Sequence, residues 1–161
     1  MNGTLAERLK GRQRVHVDTE AFIYFIQVHP TYIPIVQPVF EMIDRGEITG
    51  VSSYVTLFEV LVKPLKDNRP DIAAMYRNVL LQANNLVLFP LDRIITEKGA
   101  AISARYNFGH ADAVQLATAV HLNVEACVTN DRDWRRFKEI EVFLIDDFLP
   151  GGRQRRESAR G

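Results

Sequence analysis

Four carboxylates are the residues of this sequence whose placement could support chemistry: Asp18, Glu59, Asp112 and Asp131. Asp18 and Asp131 directly follow short apolar runs, whereas Glu59 and Asp112 lie in stretches with the apolar spacing of helices. If such carboxylates meet, they repel one another, which raises their pKa values unless a cation binds among them. No cysteine or histidine accompanies them at metal-ligand spacing, so the expected ion is a hard one such as Mg²⁺ or Mn²⁺. A hard ion over an acidic cleft is suited to phosphoryl chemistry.

Each acid also has an ordinary structural explanation. Asp18 could cap the helix that follows it, and Asp112 could complement a helix dipole. Asp131 could be a turn residue, and Glu59 could be a partly exposed residue on a helix surface. Four unrelated caps and turns have no reason to converge on one edge of one sheet, so their shared placement favours a functional site.

The elements that must position these acids alternate along the chain. Short β-branched and apolar runs predict five strands, at 14–17, 48–52, 86–89, 126–129 and 142–145. Apolar residues three and four positions apart predict the intervening helices, at 21–28, 33–43, 71–83, 91–106 and 110–122. A further helix is predicted after a cap at Ser52 or Ser53, and a short one around Trp134 and Phe137. This alternation predicts an α/β fold with a central parallel sheet covered by helices on both faces. Ligands of such sheets bind beyond the carboxyl ends of the strands.

Length and composition predict one soluble domain. A chain of 161 residues with 47% hydrophobic content can bury a full core. The single cysteine, Cys127, excludes an internal disulfide framework and a zinc cluster, and its apolar neighbours indicate a core position rather than a nucleophile. The first residues carry no apolar signal segment and no apolar run is long enough to span a membrane, so we expect a cytoplasmic protein.

The net charge of zero conceals an uneven distribution of charge. Arginine and lysine residues concentrate at both ends of the chain and leave the middle with an excess of acidic residues. We therefore divide the chain into a basic N-terminal extension at 1–14, an acidic catalytic domain at 15–150 and a basic tail at 151–161. Both ends are expected to be solvated and poorly ordered, although flexible arginines can also hold a phosphate backbone near an acidic site.

The four acids lie in segments that resemble the PIN-domain nucleases, in particular the VapC-type toxins of bacterial and archaeal toxin–antitoxin pairs. The segments are V-D-T at 17–19, S-S-Y-V-T-L-F-E at 52–59, H-A-D-A-V-Q-L-A-T-A at 110–119 and V-T-N-D-R-D-W at 128–134. The third and fourth are the most specific, whereas the first carries little weight alone. The likeness extends over residues 15–149, which is nearly the whole chain.

This resemblance implies a three-layer α/β/α fold and a homodimer that cleaves RNA with Mg²⁺ or Mn²⁺, and it suggests a small antitoxin protein as a partner. Carried onto this sequence, Asp18 and Asp112 correspond to the core metal ligands. Glu59 and Asp131 correspond to further acidic positions that hold waters and a second or shared ion. Thr129 corresponds to a small hydroxyl residue that orients a water or a carboxylate.

Some details depart from the family pattern. Glu20 follows V-D-T where many members carry a small or amide residue, so it either adds charge to the cleft or only begins the helix. Asp133 is an alternative to Asp131 as the fourth acid. The stretch before Val15 is longer than the compact toxins carry. A non-toxin nuclease that processes RNA therefore stays open beside the toxin role.

Other functions find less support in the sequence. Asp18 followed by threonine is similar to haloacid-dehalogenase phosphatases, which also use magnesium, but Glu20 replaces the second aspartate of their motif. A receiver-like signalling domain would need a lysine after a late strand, and neither a P-loop nor G-x-S-x-G occurs. A catalytically silent domain would bind RNA or protein. All four acidic positions are kept, which favours an active nuclease.

Overall fold

The computed structural model describes residues 3–151, in which five parallel strands form one sheet in the order β3-β2-β1-β4-β5. The strands are β1 (Arg14–Val17), β2 (Thr49–Ser53), β3 (Leu86–Phe89), β4 (Ala126–Thr129) and β5 (Glu141–Leu144). The helices are α1 (Leu5–Leu9), α2 (Thr19–Ile26), α3 (Ile33–Asp44), α4 (Tyr54–Lys66), α5 (Pro70–Gln82), α6 (Arg93–Tyr106) and α7 (His110–His121), with 3₁₀ helices at Arg132–Arg136 and Ile145–Phe148. Within the described residues, none of these helices is long and apolar enough to cross a membrane.

The predicted α/β fold is confirmed, with each predicted strand and helix placed within about two residues of its observed bounds. Alternate residues of β1 face opposite sides of the sheet. Val15 and Val17 belong to one apolar cluster, which also contains buried residues of α2 and α3. Cys127 of β4 belongs to a second cluster on the other face, together with buried residues of α6 and α7. Helices therefore cover both faces, which gives the three-layer α/β/α arrangement.

The strand order creates a cleft at one edge of the sheet. β1 lies in the centre, and the chain fills β2 and β3 on one side before it crosses to β4 and β5 on the other. The connections after β1 and β4 therefore leave the sheet in different directions, which makes their shared edge the topological switch point where α/β proteins bind ligands. Val17 pairs with Val128, so Asp18, which directly follows β1, lies at the same level as Thr129, the last residue of β4.

The N-terminal stretch differs from our expectation of a solvated end. Residues 5–9 form α1, which begins with a capping box between Thr4 and Glu7. Leu5 and Leu9 are fully buried in the core cluster, so the front of the chain is part of the domain. The basic residues between and after these leucines made the segment look like a polar end in the sequence. The predicted basic tail at 151–161 lies outside the described residues from 152 onward.

Candidate active site

Asp18 is the most buried of the four predicted acids, with 7% of its surface exposed. It caps α2, because its Oδ1 accepts the Thr19 N–H at 2.8 Å, and its Oδ2 accepts the Thr129 hydroxyl at 2.7 Å. Burial raises the pKa of Asp18 to about 7, although both hydrogen bonds oppose the shift. The charges of Asp112 and Glu59 raise it further. Asp18 is therefore a cap and a member of the acid cluster at once.

Asp112 lies in the first turn of α7 and is half-buried. Its Oδ1 accepts a hydrogen bond from the indole N–H of Trp134 at 3.1 Å. Burial raises the pKa of Asp112, the Trp134 hydrogen bond lowers it, and the charges of Asp131 and Asp133 raise it. Among the described residues, the Asp112 carboxylate thus accepts one side-chain hydrogen bond, from the neutral indole of Trp134, while other carboxylates lie close to it.

Glu59 reaches the same cleft from α4, where its side chain is partly exposed to solvent. Its Oε1 accepts the Thr19 hydroxyl at 3.1 Å. Desolvation raises the pKa of Glu59, the Thr19 hydrogen bond lowers it, and the charges of Asp112 and Glu20 raise it. Glu20, in the first turn of α2, therefore adds negative charge to the cleft, one of the two roles left open by the sequence.

Asp131 and Asp133 follow β4 and differ in how their charge is used. The Asp131 backbone N–H donates to Thr129 Oγ1 at 3.0 Å, and its Oδ1 accepts the Asp133 N–H at 2.9 Å, which caps the following 3₁₀ helix. Asp133 is exposed and forms a bidentate pair with Arg136 at 2.6 and 2.8 Å. That pair lowers the pKa of Asp133. Arg136 therefore forms its ion pair with Asp133, and Asp131 has no ion pair within residues 3–151.

The four acids converge on the switch point of the sheet. Asp18 interacts electrostatically with Glu59 and Asp112, and Asp112 with Asp131. Across residues 3–151, no lysine, arginine or histidine forms an ion pair with any of the four. In the same part of the chain, no three His, Cys, Asp or Glu side chains form a group that could hold a metal ion as they stand. The acids are thus neighbours, and burial rather than mutual repulsion is the main cause of their raised pKa values.

The donor chemistry of this cleft fits a hard divalent cation. The groups around it offer carboxylate and hydroxyl oxygens, from Asp18, Glu59, Asp112 and Thr129. Oxygen donors with uncompensated negative charge are the ligands that Mg²⁺ and Mn²⁺ prefer. Asp18, a buried aspartate with a pKa of about 7, also has no positive partner within residues 3–151, and a cation would provide one.

Sequence reasoning missed two residues that touch the acids. Trp134 was named only as the last residue of V-T-N-D-R-D-W and as part of a short helix, yet it is fully buried and donates to Asp112. Thr19 was noted only as part of a motif, yet its hydroxyl contacts Glu59 on a different helix. The side chain of Cys127 is fully buried in β4, which confirms the predicted core position. The aromatic residue that closes the fourth segment was the available signal for Trp134, whereas Thr19 carried none.

Comparisons with known proteins agree on the fold of this chain. Residues 15–140 match the family model described as the PIN domain. The structure of VapBC2 from Rickettsia felis bound to a DNA fragment from their promoter contains a chain with a TM-score of 0.66 and 16% identity, covering 82% of this chain and 98% of that one. A chain of DNA-bound VapBC from Salmonella typhimurium has a TM-score of 0.65 and 19% identity, with 83% of this chain and 98% of that one covered. A chain of a toxin–antitoxin complex from Klebsiella pneumoniae has a TM-score of 0.61 and 19% identity, with 81% of this chain and 97% of that one covered. No curated protein matches the sequence.

Proposed function

Because this chain belongs to the PIN domain family, a family of nucleases, we propose that it is a Mg²⁺- or Mn²⁺-dependent endoribonuclease. One observation carries the proposal. Four acids from four different segments lie within electrostatic range of one another at the switch point of the sheet, and none has an ion-pair partner among residues 3–151. A structural cluster of this kind would be balanced by basic side chains, whereas a catalytic one is balanced by its ion.

Each acid has a distinct task in this proposal. Asp18 and Asp112 would hold the ion directly, and Glu59 and Asp131 would hold waters or a second, shared ion. The bound ion supplies a nucleophilic water near neutral pH and neutralises charge on the phosphodiester. Thr129 keeps Asp18 in one orientation through the 2.7 Å hydrogen bond.

We further propose that the protein is the toxin of a toxin–antitoxin pair and that it forms a homodimer. The support is the fold shared with chains of VapBC and other toxin–antitoxin complexes, which this chain covers almost completely. A small antitoxin would then insert a basic side chain into the acid cleft, because none of the four acids forms an ion pair within residues 3–151. A non-toxin nuclease that processes RNA is the alternative.

The nuclease proposal is tested by replacing Asp18 or Asp112 with asparagine. Both variants should lose Mn²⁺-dependent cleavage of total bacterial RNA by at least about a hundredfold, because each removes a ligand charge while keeping the shape of the side chain. Asp71→Asn is the matched control, since Asp71 is an exposed aspartate paired with Arg69 on α5. A chelator should abolish cleavage by the wild type and the control alike.

Two outcomes would overturn this assignment. One is wild-type cleavage rates in both asparagine variants, measured on protein free of contaminating nuclease. The other is hydrolysis of a small phosphomonoester without cleavage of RNA, which would indicate a phosphatase.

The toxin proposal has a separate test in living bacteria. Induced expression should arrest growth, Asp18→Asn should not, and co-expression of a small protein encoded directly upstream should restore growth. Unimpaired growth with active enzyme, and no such upstream reading frame, would favour the RNA-processing role. Light scattering of the purified protein tests the homodimer.

A further inference from the structure

Behind the acid cleft, four buried polar side chains connect β1, α7, α4 and α2. They are His16, Gln115, Thr56 and Thr19, and together we name them the polar relay. A buried hydroxyl or amide without a hydrogen bond costs roughly 1–3 kcal/mol, whereas apolar groups of the same shape are close to neutral at such positions. Stability alone therefore gives no reason for polar residues here.

The relay ends on Glu59. His16 Nε2 lies 2.9 Å from Gln115 Oε1, and Gln115 Nε2 donates to Thr56 Oγ1 at 2.6 Å. Thr56 Oγ1 lies 3.2 Å from Thr19 Oγ1, which donates to Glu59 Oε1 at 3.1 Å. The chain of contacts thus passes from a central strand to the edge of the cleft without a gap.

The carboxylate at the end of the relay sets the direction of its last hydrogen bond. A carboxylate accepts and does not donate, so the proton of the Thr19 hydroxyl is directed to Glu59. Thr19 Oγ1 can then only accept at its contact with Thr56. Thr56 accepts from the Gln115 amide. Ser52 Oγ, 3.0 Å from Thr56 Oγ1, has a single proton, and the Val17 carbonyl at 2.9 Å can only accept it, so Thr19 and Ser52 Oγ share the Thr56 proton.

The orientation of the Gln115 amide fixes the far end of the relay. Because the Gln115 amide nitrogen faces Thr56, its oxygen faces His16, and His16 Nε2 must carry the proton. His16 Nδ1 is then an acceptor only. His16 Nδ1 is buried and has no hydrogen-bond partner within residues 3–151. A buried N–H without an acceptor would be costly, which also favours the proton on Nε2.

We propose that the polar relay holds the Glu59 carboxylate in one orientation in the acid cleft, which makes Thr56 and Gln115 positioning residues. This inference rests on the proposed function. Thr56 is fully buried and acts on Glu59 through Thr19. Gln115, which is also fully buried, acts through Thr56 and through a hydrogen bond of its own to the Glu59 carboxylate. Partners that orient an acidic group from behind a metal site typically change affinity or activity about 10- to 100-fold when removed.

The experiment compares Thr56→Val, which keeps the side-chain shape but removes the hydroxyl, with Thr56→Ser, which keeps the hydroxyl. Thr118→Val is the control, because Thr118 is an equally buried threonine on α7 whose hydroxyl donates to Val114 O at 2.8 Å, outside the relay. Mn²⁺ affinity is measured without RNA by electron paramagnetic resonance of free Mn²⁺. kcat and KM are measured on a short RNA that the wild type cleaves.

Thr56→Val should weaken Mn²⁺ binding or lower kcat about tenfold, with KM within about twofold of the wild type. Thr56→Ser and Thr118→Val should stay within about twofold on every measure. Wild-type affinity and kcat in Thr56→Val would overturn the proposal. So would equal losses in Thr56→Val and Thr118→Val, because they would show a general effect of lost stability.

A measurement on the wild type separates this inference from the proposed function. Long-range ¹⁵N–¹H NMR of His16 should show the tautomer protonated at Nε2, whether or not the protein cleaves RNA. A tautomer protonated at Nδ1 would overturn the relay even in an active enzyme. If the protein cleaves no RNA and binds no Mn²⁺, the proposed function fails. The tautomer of His16 still decides whether the Gln115 amide oxygen faces His16, as the relay requires.

Discussion

Asp18 and Thr129 illustrate how one residue serves both structure and the candidate chemistry. Asp18 caps α2 through one oxygen and binds the Thr129 hydroxyl through the other. These hydrogen bonds favour the charged form, but burial outweighs them and raises the pKa of Asp18 to about 7. A carboxylate that is fixed in place and poorly compensated is pre-organised for a cation.

Trp134 is expected to control Asp112 in a comparable way. Trp134→Phe keeps an aromatic ring in the core but removes the indole N–H that donates to Asp112 Oδ1 at 3.1 Å. We expect kcat for RNA cleavage to fall about tenfold, because the Asp112 carboxylate loses its orienting donor. Stability should fall by about 1 kcal/mol in chemical denaturation.

Tyr106→Phe is the control for that substitution, since its hydroxyl makes a surface hydrogen bond to Glu139 at 3.2 Å. The control should keep wild-type kcat. Equal kcat values for Trp134→Phe and the wild type would show that Asp112 needs no orientation from the indole.

The ends of helices bring favourable charge to the acid cleft. α2 begins after the cap Asp18, α4 begins after the cap Ser53, and α7 begins two residues before Asp112. The amino-terminal end of a helix carries a partial positive charge, which stabilises nearby carboxylates by roughly 0.3–1 kcal/mol. The helices thus offset part of the repulsion among the acids that they position.

The end of α2 holds a strained residue that can be tested at the same scale. Val28 is 64% exposed and has φ +50°, a left-handed conformation that is costly for a β-branched side chain. Val28→Gly should raise the free energy of unfolding by about 1 kcal/mol, because glycine adopts this conformation without steric cost. Urea denaturation measures the change.

Val62→Gly, at an exposed position inside α4, should instead lower stability by about 1 kcal/mol. A Val28→Gly protein that is less stable than the wild type would mean that the valine side chain contributes more than its strain costs.

The stability of the whole molecule should depend on pH through Asp18. Its ordinary pKa is 3.8, and its pKa in the folded protein is about 7. Between these values the folded state keeps a proton that the unfolded state has lost, so stability falls as pH rises from about 4 to 7. Asp18→Asn removes this cost. In a chelator, its advantage in free energy of unfolding over the wild type should therefore grow across that window and stay constant above pH 7.

The comparison of these two proteins also removes a competing titration. Burial lowers the pKa of His16 to about 4, which destabilises the fold as pH falls from 6.5 towards 4. His16 is present in both proteins, so its contribution largely cancels in the difference. An advantage of Asp18→Asn that does not change between pH 4 and 7 would contradict the raised pKa of Asp18.

The amino-acid sequence by itself determined the elements and the candidate acids. The apolar periods of strands and helices are local properties, so β1 and α7 could be located within one or two residues. The rule that ligands bind beyond the carboxyl ends of parallel strands was then enough to select Asp18, Glu59, Asp112 and Asp131. Capping of α2 by Asp18 followed from residue type and position alone.

Only the tertiary structure decided how those residues meet. The structure of the 3₁₀ helix decides that Arg136 forms its ion pair with Asp133 and not with Asp131. The contact of Trp134 with Asp112 depends on the packing of the same helix against α7. The burial of α1 depends on a groove built by residues that are distant in the chain. Such contacts arise between elements far apart in sequence, and no local pattern encodes them. Desolvation, which dominates the pKa values of the acids, is likewise a property of the assembled fold.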